Sequence, residues 1–339
     1  MSYKKVIITR YGPPDVLKVV EQESLPVPKK AEVRVRVIVT SASFTDTLIR
    51  KGMYPEVRKR PPITPGYDLV GRVDACGEGV TAFQIGQRVA AMPVYGAYSE
   101  YICLPQESLT PVPDGLDSAE VVSLVLTYMT AYQMLHRVAA VRQGTSILVH
   151  GAGGAVGTAL LQLGALQSLK MFGTARTAKL DLVKSLGATG IDYESEDFVR
   201  FVHEATGGVD AVFDGIGGEY FKRSFLSLKS GGFLVAYGFQ HAVLNNGSLL
   251  SIARGFIQLK LWNVLPNKRR VVFYSITAMR KKHPEWFRED LAKLMELLQQ
   301  RKIQPVIFKK MPLTEAVEAH KLLDASQVPG KIILIVGRE

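Results

Sequence analysis

Residues 146–157 read Ser-Ile-Leu-Val-His-Gly-Ala-Gly-Gly-Ala-Val-Gly, and the fold is decided by how this stretch is read. Ile147, Leu148 and Val149 form a short apolar run, the mark of a strand buried in a parallel sheet. Gly151, Gly154 and Gly157 follow at three-residue spacing, with Gly153 between them. Residues 159–167 are then apolar at helical intervals. Strand, glycine turn and helix predict a phosphate-binding βα unit. The glycines let the backbone approach a pyrophosphate, whose charge sits where amide N–H groups at the helix N-terminus are free. An ordinary glycine-rich βα turn is punctuated in the same way, but the flanking strand and helix favour a dinucleotide site. The candidate cofactor residues here are Gly151, Ala152, Gly153, Gly154, Ala155 and Val156.

C-terminal to this unit the βαβ alternation continues. Helix 155–168, strand 169–174, helix 178–186, strand 189–192 and helix 195–206 are expected, then strand 209–213, a helix near 219–228 and strand 232–237. Such alternation implies a parallel doubly wound sheet with ligands at the carboxyl ends of its strands. Ile257-Gln-Leu-Lys-Leu-Trp262 alternates and is expected to be a sixth, edge strand. An amphipathic helix is expected at about 285–300. Residues 240–256 match no motif; they would line an acceptor pocket or form a loop.

N-terminal to the glycine turn, Ala119 to Val138 reads as a long apolar helix. Before it the pattern is one of strands. From Glu32 to Thr40, Val33, Val35, Val37 and Val39 face one way, and Arg34 and Arg36 the other. Short strands separated by glycines run from Leu69 to Leu104 and suggest a small, partly open barrel. Residues 305–339 return to short strands around one helix. The simplest organisation is discontinuous: residues 1–124 and 266–339 make one domain, and a Rossmann-type unit, 125–265, is inserted into it. A cleft between them would hold nicotinamide and substrate.

The chain has 339 residues, 47% apolar and 22% charged, enough for two domains with full cores. Cys76 and Cys103 are too few for a disulfide framework or a four-thiolate zinc lobe. The first ten residues lack the apolar core of a signal peptide, and the most apolar stretch, Val121 to Leu135, is polar-interrupted and short for a bilayer. A cytoplasmic protein without a membrane span is expected. The formal charge of +11 is spread along the chain. Its densest runs, Lys268-Arg269-Arg270 and Arg280-Lys281-Lys282, read as solvated surface, with no nucleic-acid-binding signature beside them.

An NAD site carries an acid about 20 residues beyond the glycines, on the ribose 2′-hydroxyl. Here the second strand ends Gly173-Thr-Ala-Arg-Thr-Ala-Lys179, with no acid. Arg176 and Lys179 sit where a 2′-phosphate would lie, and Thr174 and Thr177 carry hydroxyls. These cations favour NADP(H).

Five further stretches carry a family resemblance over essentially the whole length. They are Asp46-Thr-Leu-Ile-Arg-Lys-Gly-Met-Tyr-Pro55, Pro65-Gly-Tyr-Asp-Leu-Val-Gly-Arg-Val73, residues 79–89, Leu126-Thr-Tyr-Met-Thr-Ala-Tyr132 and the glycine loop from His150. Together they resemble the zinc-independent medium-chain dehydrogenase/reductases, specifically the quinone oxidoreductase (zeta-crystallin-like) family. The resemblance implies an α/β fold, a Rossmann doubly wound sheet inserted in a GroES-like β-barrel domain. It implies that Lys179 and Tyr193 hold the 2′-phosphate, and that Gly215, Ile216, Gly238 and Phe239 line the cofactor at strand ends. It places Tyr54 and Thr130 near the nicotinamide as catalytic candidates, and Ser43, Phe44, Tyr54 and Phe239 on the substrate side.

The chain also departs from its relatives. Ser43 and Tyr67 stand where zinc-dependent relatives carry a catalytic cysteine and a histidine, so no metal is expected. Many quinone reductases have asparagine at the position of Ser43, and some relatives have a phosphate-binding arginine at that of Ser326. The expected activity is hydride transfer from NADPH to a quinone or an α,β-unsaturated carbonyl, with no side-chain proton donor evident. An enoyl-thioester reductase and a catalytically silent NADPH-binding protein are the alternatives. Pairing through the edge strand at 257–264 would give a homodimer.

Overall fold

The computed structural model describes residues 1–241, 249–264, 266 and 268–338. The chain forms two compact units. The first comprises Met1–Leu126, Leu291–Arg301 and Pro305–Glu339, and the second Thr127–Asp290 with Lys302–Gln304.

The first unit opens with a hairpin of β1 (Tyr3–Ile8) and β2 (Leu17–Gln22). Its organising strand is β3 (Glu32–Ala42), whose valines 33, 35 and 37 are buried with Leu69, Val73, Val89 and Leu104 in one core. A one-turn-plus helix, α1 (Phe44–Arg50), follows directly. Next come β4 (Leu69–Cys76), β5 (Arg88–Ala91), β6 (Tyr101–Pro105), β7 (Leu109–Pro111) and the helix α2 (Ser118–Ser123). One edge of β3 pairs with β4; the other pairs with β6 along Glu32–Arg36. Beyond Val39 that second edge belongs to a C-terminal strand, described below. A strand that changes partner along its length lets a short sheet curl, as the expected barrel requires.

The second unit begins in the helical run that continues from α2. Wider π turns at Leu124–Tyr128 and Gln133–Val138 flank α3 (Met129–Tyr132). Then come β8 (Ser146–His150), α4 (Ala155–Leu166), β9 (Lys170–Ala175), α5 (Leu180–Ser185), β10 (Thr189–Asp192), α6 (Phe198–Thr206), β11 (Val209–Asp214), α7 (Glu219–Leu226) and β12 (Leu228–Ala236). The helix α8 (Leu249–Trp262) leads to β13 (Arg270–Phe273), α9 (Ile276–Lys282) and α10 (Pro284–Gln299). All six strands are parallel, in the order β10-β9-β8-β11-β12-β13. The order reverses between β8 and β11, and open α/β sheets bind ligands at such a switch point. The glycine loop leaves β8 there.

The first unit is completed by β14 (Ile307–Pro312), α11 (Ala316–Asp324) and β15 (Lys331–Ile335). β14 is parallel to β15, and β15 pairs antiparallel with the C-terminal end of β3.

Two expectations are corrected. Residues 257–262 are the end of α8 and not an edge strand. Ile252, Phe256 and Leu259 pack on the sheet core, whereas Ile257 and Leu261 are exposed. The apparent alternation of Ile257, Leu259 and Leu261 is therefore split between two helix faces. The sixth strand is β13, which pairs with β12, and the chain through Asp290 belongs to the second unit. Of residues 240–256, for which no motif was found, 242–248 lie outside the described residues and 249–256 open α8.

Candidate active site

In the second unit, the backbone of the glycine loop is shaped for close approach. Gly151 adopts φ +64°, and a Cβ at Gly157 would lie 2.4 Å from the Gly151 carbonyl oxygen. Gly157 thus lets α4 start against the end of β8. The loop is closed by Ala152 N–H to Thr174 O (3.0 Å) and Gly154 N–H to Gly151 O (2.9 Å). The first bond within α4 is Thr158 N–H to Gly154 O, so the amides of Ala155, Val156 and Gly157 have no acceptor inside the helix. These amides are what an anionic group would meet.

Arg176 and Lys179 come together past the end of β9. The Lys179 side chain lies over Gly153, where an added Cβ would meet its Cβ at 2.8 Å. Burial, and then the charge of Arg176, lower the pKa of Lys179. Two cations held together favour an anion between them. Arg176 Nε donates to the Tyr193 phenol oxygen at 3.0 Å and pairs with Glu194 at 3.1 Å. Glu194 is an acid that inspection of β9 alone does not find, because it follows β10. The hydroxyls of the two threonines have partners within the chain. Thr174 is buried and its hydroxyl meets His150 Nδ1 at 2.9 Å, and Thr177 donates to the Asp192 carboxylate.

The strand ends at 214–218 and 237–239 form one braced corner. Asp214 accepts from the Ile216 and Gly217 amides at 2.8 and 3.0 Å and from Ser224 Oγ at 2.7 Å. A Cβ on Gly238 would lie 2.6 Å from the Gly215 carbonyl oxygen, and one on Gly215 would strike the Tyr237 ring. Gly215, Ile216 and Gly238 thus share one corner. Phe239 follows Gly238 directly. It packs among Phe221, Phe256 and Phe273 at centroid distances of 5.5, 4.9 and 5.3 Å, and its ring is part of the core. Thr130 is buried in α3, where it hydrogen-bonds Tyr274, and Tyr274 donates to Gln133 Oε1 at 2.8 Å.

In the first unit, Ser43 and Tyr54 belong to a polar cluster sunk in the barrel. Ser43 precedes α1, and its N–H donates to Asp46 Oδ2 at 2.9 Å. Asp46 Oδ1 accepts from Gly66 N–H at 3.0 Å. Burial, then the charge of Asp68, push the Asp46 carboxyl up to about 7. Asp68 is fully buried, accepts from Ser41 N–H (3.1 Å) and Ser41 Oγ (2.5 Å), and is also raised by burial. The Lys331 ammonium donates to Ser43 Oγ at 2.8 Å and lies 3.7 Å from Asp68 Oδ2. The Tyr54 phenol meets that of Tyr67 at 2.6 Å, their rings edge to face, and burial raises its pKa further. Phe44 is half-buried at the first position of α1.

Sequence reasoning reached Ser43, Tyr54 and Tyr67 but missed Asp46, Asp68 and Lys331. Asp46 and Asp68 lie inside the quoted motifs, three residues after Ser43 and one after Tyr67, so local spacing held the signal. Lys331 arrives from 288 positions away, and no local pattern announces it.

Two family models match this chain: an alcohol dehydrogenase GroES-like domain over residues 29–114 and a zinc-binding dehydrogenase over 186–334. The human synaptic vesicle membrane protein VAT-1 homolog-like is 31% identical over 98% of this chain and 81% of its own length. Human quinone oxidoreductase is 27% identical over 98% of both. The structure of Escherichia coli quinone oxidoreductase complexed with NADPH superposes with a TM-score of 0.87 at 25% identity, covering 98% of this chain and 99% of that one. Barrel and doubly wound sheet agree with these matches, and the chain belongs to the quinone oxidoreductase family of the medium-chain dehydrogenase/reductases.

Proposed function

We propose that this protein is an NADPH-dependent reductase that passes hydride to a quinone or an α,β-unsaturated carbonyl without zinc. The observation that carries the reading is the Arg176–Lys179 pair, with Lys179 laid over Gly153 of the glycine loop and Arg176 on the Tyr193 phenol. A pyrophosphate at the α4 amides leaves the adenosine ribose toward the end of β9, where these cations meet its 2′-phosphate. The bound dinucleotide supplies the hydride, and the chain binds, orients and shields it. Gly151 to Val156 take the pyrophosphate. Gly215, Ile216 and Gly238 form the wall at the neighbouring strand ends.

The donor set at Ser43 and Tyr67 does not suit zinc. The Ser43 hydroxyl already accepts from the Lys331 ammonium, and the Tyr67 phenol is bonded to that of Tyr54. Zinc takes thiolate, imidazole or carboxylate.

A fluorescence titration with each coenzyme tests the reading. NADPH binds more tightly than NADH, and Arg176→Ala with Lys179→Ala weakens NADPH by about tenfold or more, since a hydrogen bond to a charged group contributes about 1.5–3 kcal/mol. NADH affinity stays unchanged. Equal affinity of the wild-type protein for the two coenzymes overturns the reading. NADPH oxidation with 1,2-naphthoquinone, compared with a crotonyl thioester, sorts the acceptor class.

A further inference from the structure

The turn after β10 carries an acid onto the arginine assigned above to the coenzyme's 2′-phosphate. Arg176 and Lys179 lie on the turn after β9, and Tyr193 and Glu194 on the turn after β10. Strand pairing sets the two turns side by side. β10 runs parallel to β9 as far as Asp192 opposite Ala175, and the Tyr193 N–H reaches Ala175 O at 3.4 Å. Asp192 then ties them together. It accepts from the Thr177 hydroxyl on one turn and from the Glu194 N–H, at 3.0 Å, on the other. Glu194 is therefore delivered by a braced backbone. Its carboxylate lies 3.1 Å from Arg176 Nε, whose N–H also meets the Tyr193 phenol oxygen at 3.0 Å. Both contacts are made through Nε, and a guanidinium has several further N–H donors to offer an anion.

We infer that Glu194 is a specificity-determining residue of the coenzyme site: its carboxylate competes with the 2′-phosphate for Arg176 and so limits how strongly NADPH is preferred over NADH. This rests on the assignment of Arg176 and Lys179 to that phosphate. A phosphate monoester carries a charge of about −1.5 to −2 at pH 7, which two cations match. The Glu194 carboxylate offsets one of those cations in advance. Arg176 and Glu194 are 50% and 54% exposed, so their ion pair is weak and yields to a dianion. NADH brings no 2′-phosphate and leaves the pair as it is. The carboxylate thus lowers affinity for one coenzyme and spares the other. An acid at the end of β9 would read a ribose hydroxyl directly. Glu194 comes from the next turn and acts through the arginine.

Calorimetric titration with NADPH, NADH and adenosine 2′,5′-bisphosphate, which carries the phosphate but no nicotinamide, tests this without turnover. Glu194→Gln tightens NADPH and the bisphosphate by about two- to fivefold, the strength of an exposed ion pair, and leaves NADH unchanged. The gain disappears when Arg176→Ala is added, because the carboxylate acts through that guanidinium. It also shrinks as salt is raised, since screening weakens the exposed pair. A carboxylate that instead steadied the arginine for the phosphate would weaken NADPH binding when removed. Unchanged or weakened NADPH binding in Glu194→Gln, or a gain shared by NADH, overturns the inference. A wild-type protein that binds NADPH and NADH equally well removes the 2′-phosphate assignment itself. A wild type that prefers NADPH, with no gain in Glu194→Gln, removes only the role of Glu194.

Discussion

Asp46 and His320 are two buried titrating residues of the barrel unit, and they make its stability depend on pH in opposite senses. Burial and then Asp68 raise Asp46 from 3.8 to about 7. The folded chain therefore keeps a proton that the unfolded chain releases. The stabilisation this gives is full below pH 3.8 and is lost as pH rises through about 7. His320 in α11 lies 3.4 Å from Arg50 and 3.3 Å from the Tyr98 hydroxyl. Burial and then the Arg50 charge lower it from 6.5 to about 3, so its contribution is present above pH 6.5 and fades as pH falls toward 3. Between pH 4 and 6.5 the two offset each other. Thermal melts across pH 4–8 then give three outcomes: Asp46→Asn loses less melting temperature than wild type from pH 6.5 to 8, and more on acidification to pH 4. His320→Gln loses less on acidification. Parallel curves for all three proteins would contradict the assignment. Asp68, raised in the same sense, keeps some of the slope in Asp46→Asn. At this scale the sequence was legible where chemistry is local. Arg176 and Lys179 are three residues apart on one loop, and their charge speaks for itself. Thr174 was less legible, because a hydroxyl in a strand faces one side or the other, and the Thr174 hydroxyl meets His150. Phe239 was ambiguous, because an aromatic at a strand end serves core and ligand equally well.

Among the elements, the glycine loop was the most legible, because its requirement is steric. Gly157 is needed for contact: its missing Cβ leaves room for the Gly151 carbonyl and for Ala152, which the added carbon would approach to 2.4 and 2.6 Å. Both neighbours are backbone atoms and cannot turn aside as a flexible side chain does. Gly157→Ala must therefore push α4 away from the end of β8. Overpacking of this kind costs about 1–3 kcal/mol. It also displaces the amides of Ala155 and Val156, so NADPH affinity falls along with stability in denaturant melts. A variant as stable as wild type with unchanged NADPH binding would show that α4 starts elsewhere. The strand expected at 257–262 failed for an equally physical reason. Six residues of alternating polarity fit a strand, but the helix extends back to Leu249, and only over that length does the core-facing series of Ile252, Phe256 and Leu259 emerge. A short window cannot separate the two periods.

For the whole molecule, the misplaced strand bears on self-association. The edge of the doubly wound sheet is β13, only four residues long, and it is already closed. Asn263 accepts from Val271 N–H at 2.8 Å and donates to Val271 O at 2.6 Å, so a side chain takes the place of a pairing strand. A homodimer built by joining two such edges would have to displace Asn263. The apolar surface beside it lies on and just past α8: Ile257, Leu261 and Val264 are 58%, 60% and 82% exposed and recur at helical spacing. A two-fold axis would bring the same stripe from two copies face to face, and its apolar side chains would complement themselves, with exposed Arg254 and Lys260 beside them. Light scattering of the wild-type protein is accordingly expected to give twice the chain mass, and Ile257→Glu with Leu261→Glu the mass of one chain. Asn263→Ala, which reopens the strand edge without touching the stripe, leaves the dimer intact. A dimer that survives both glutamates, or a wild-type protein that is monomeric, would show that two copies do not meet on α8.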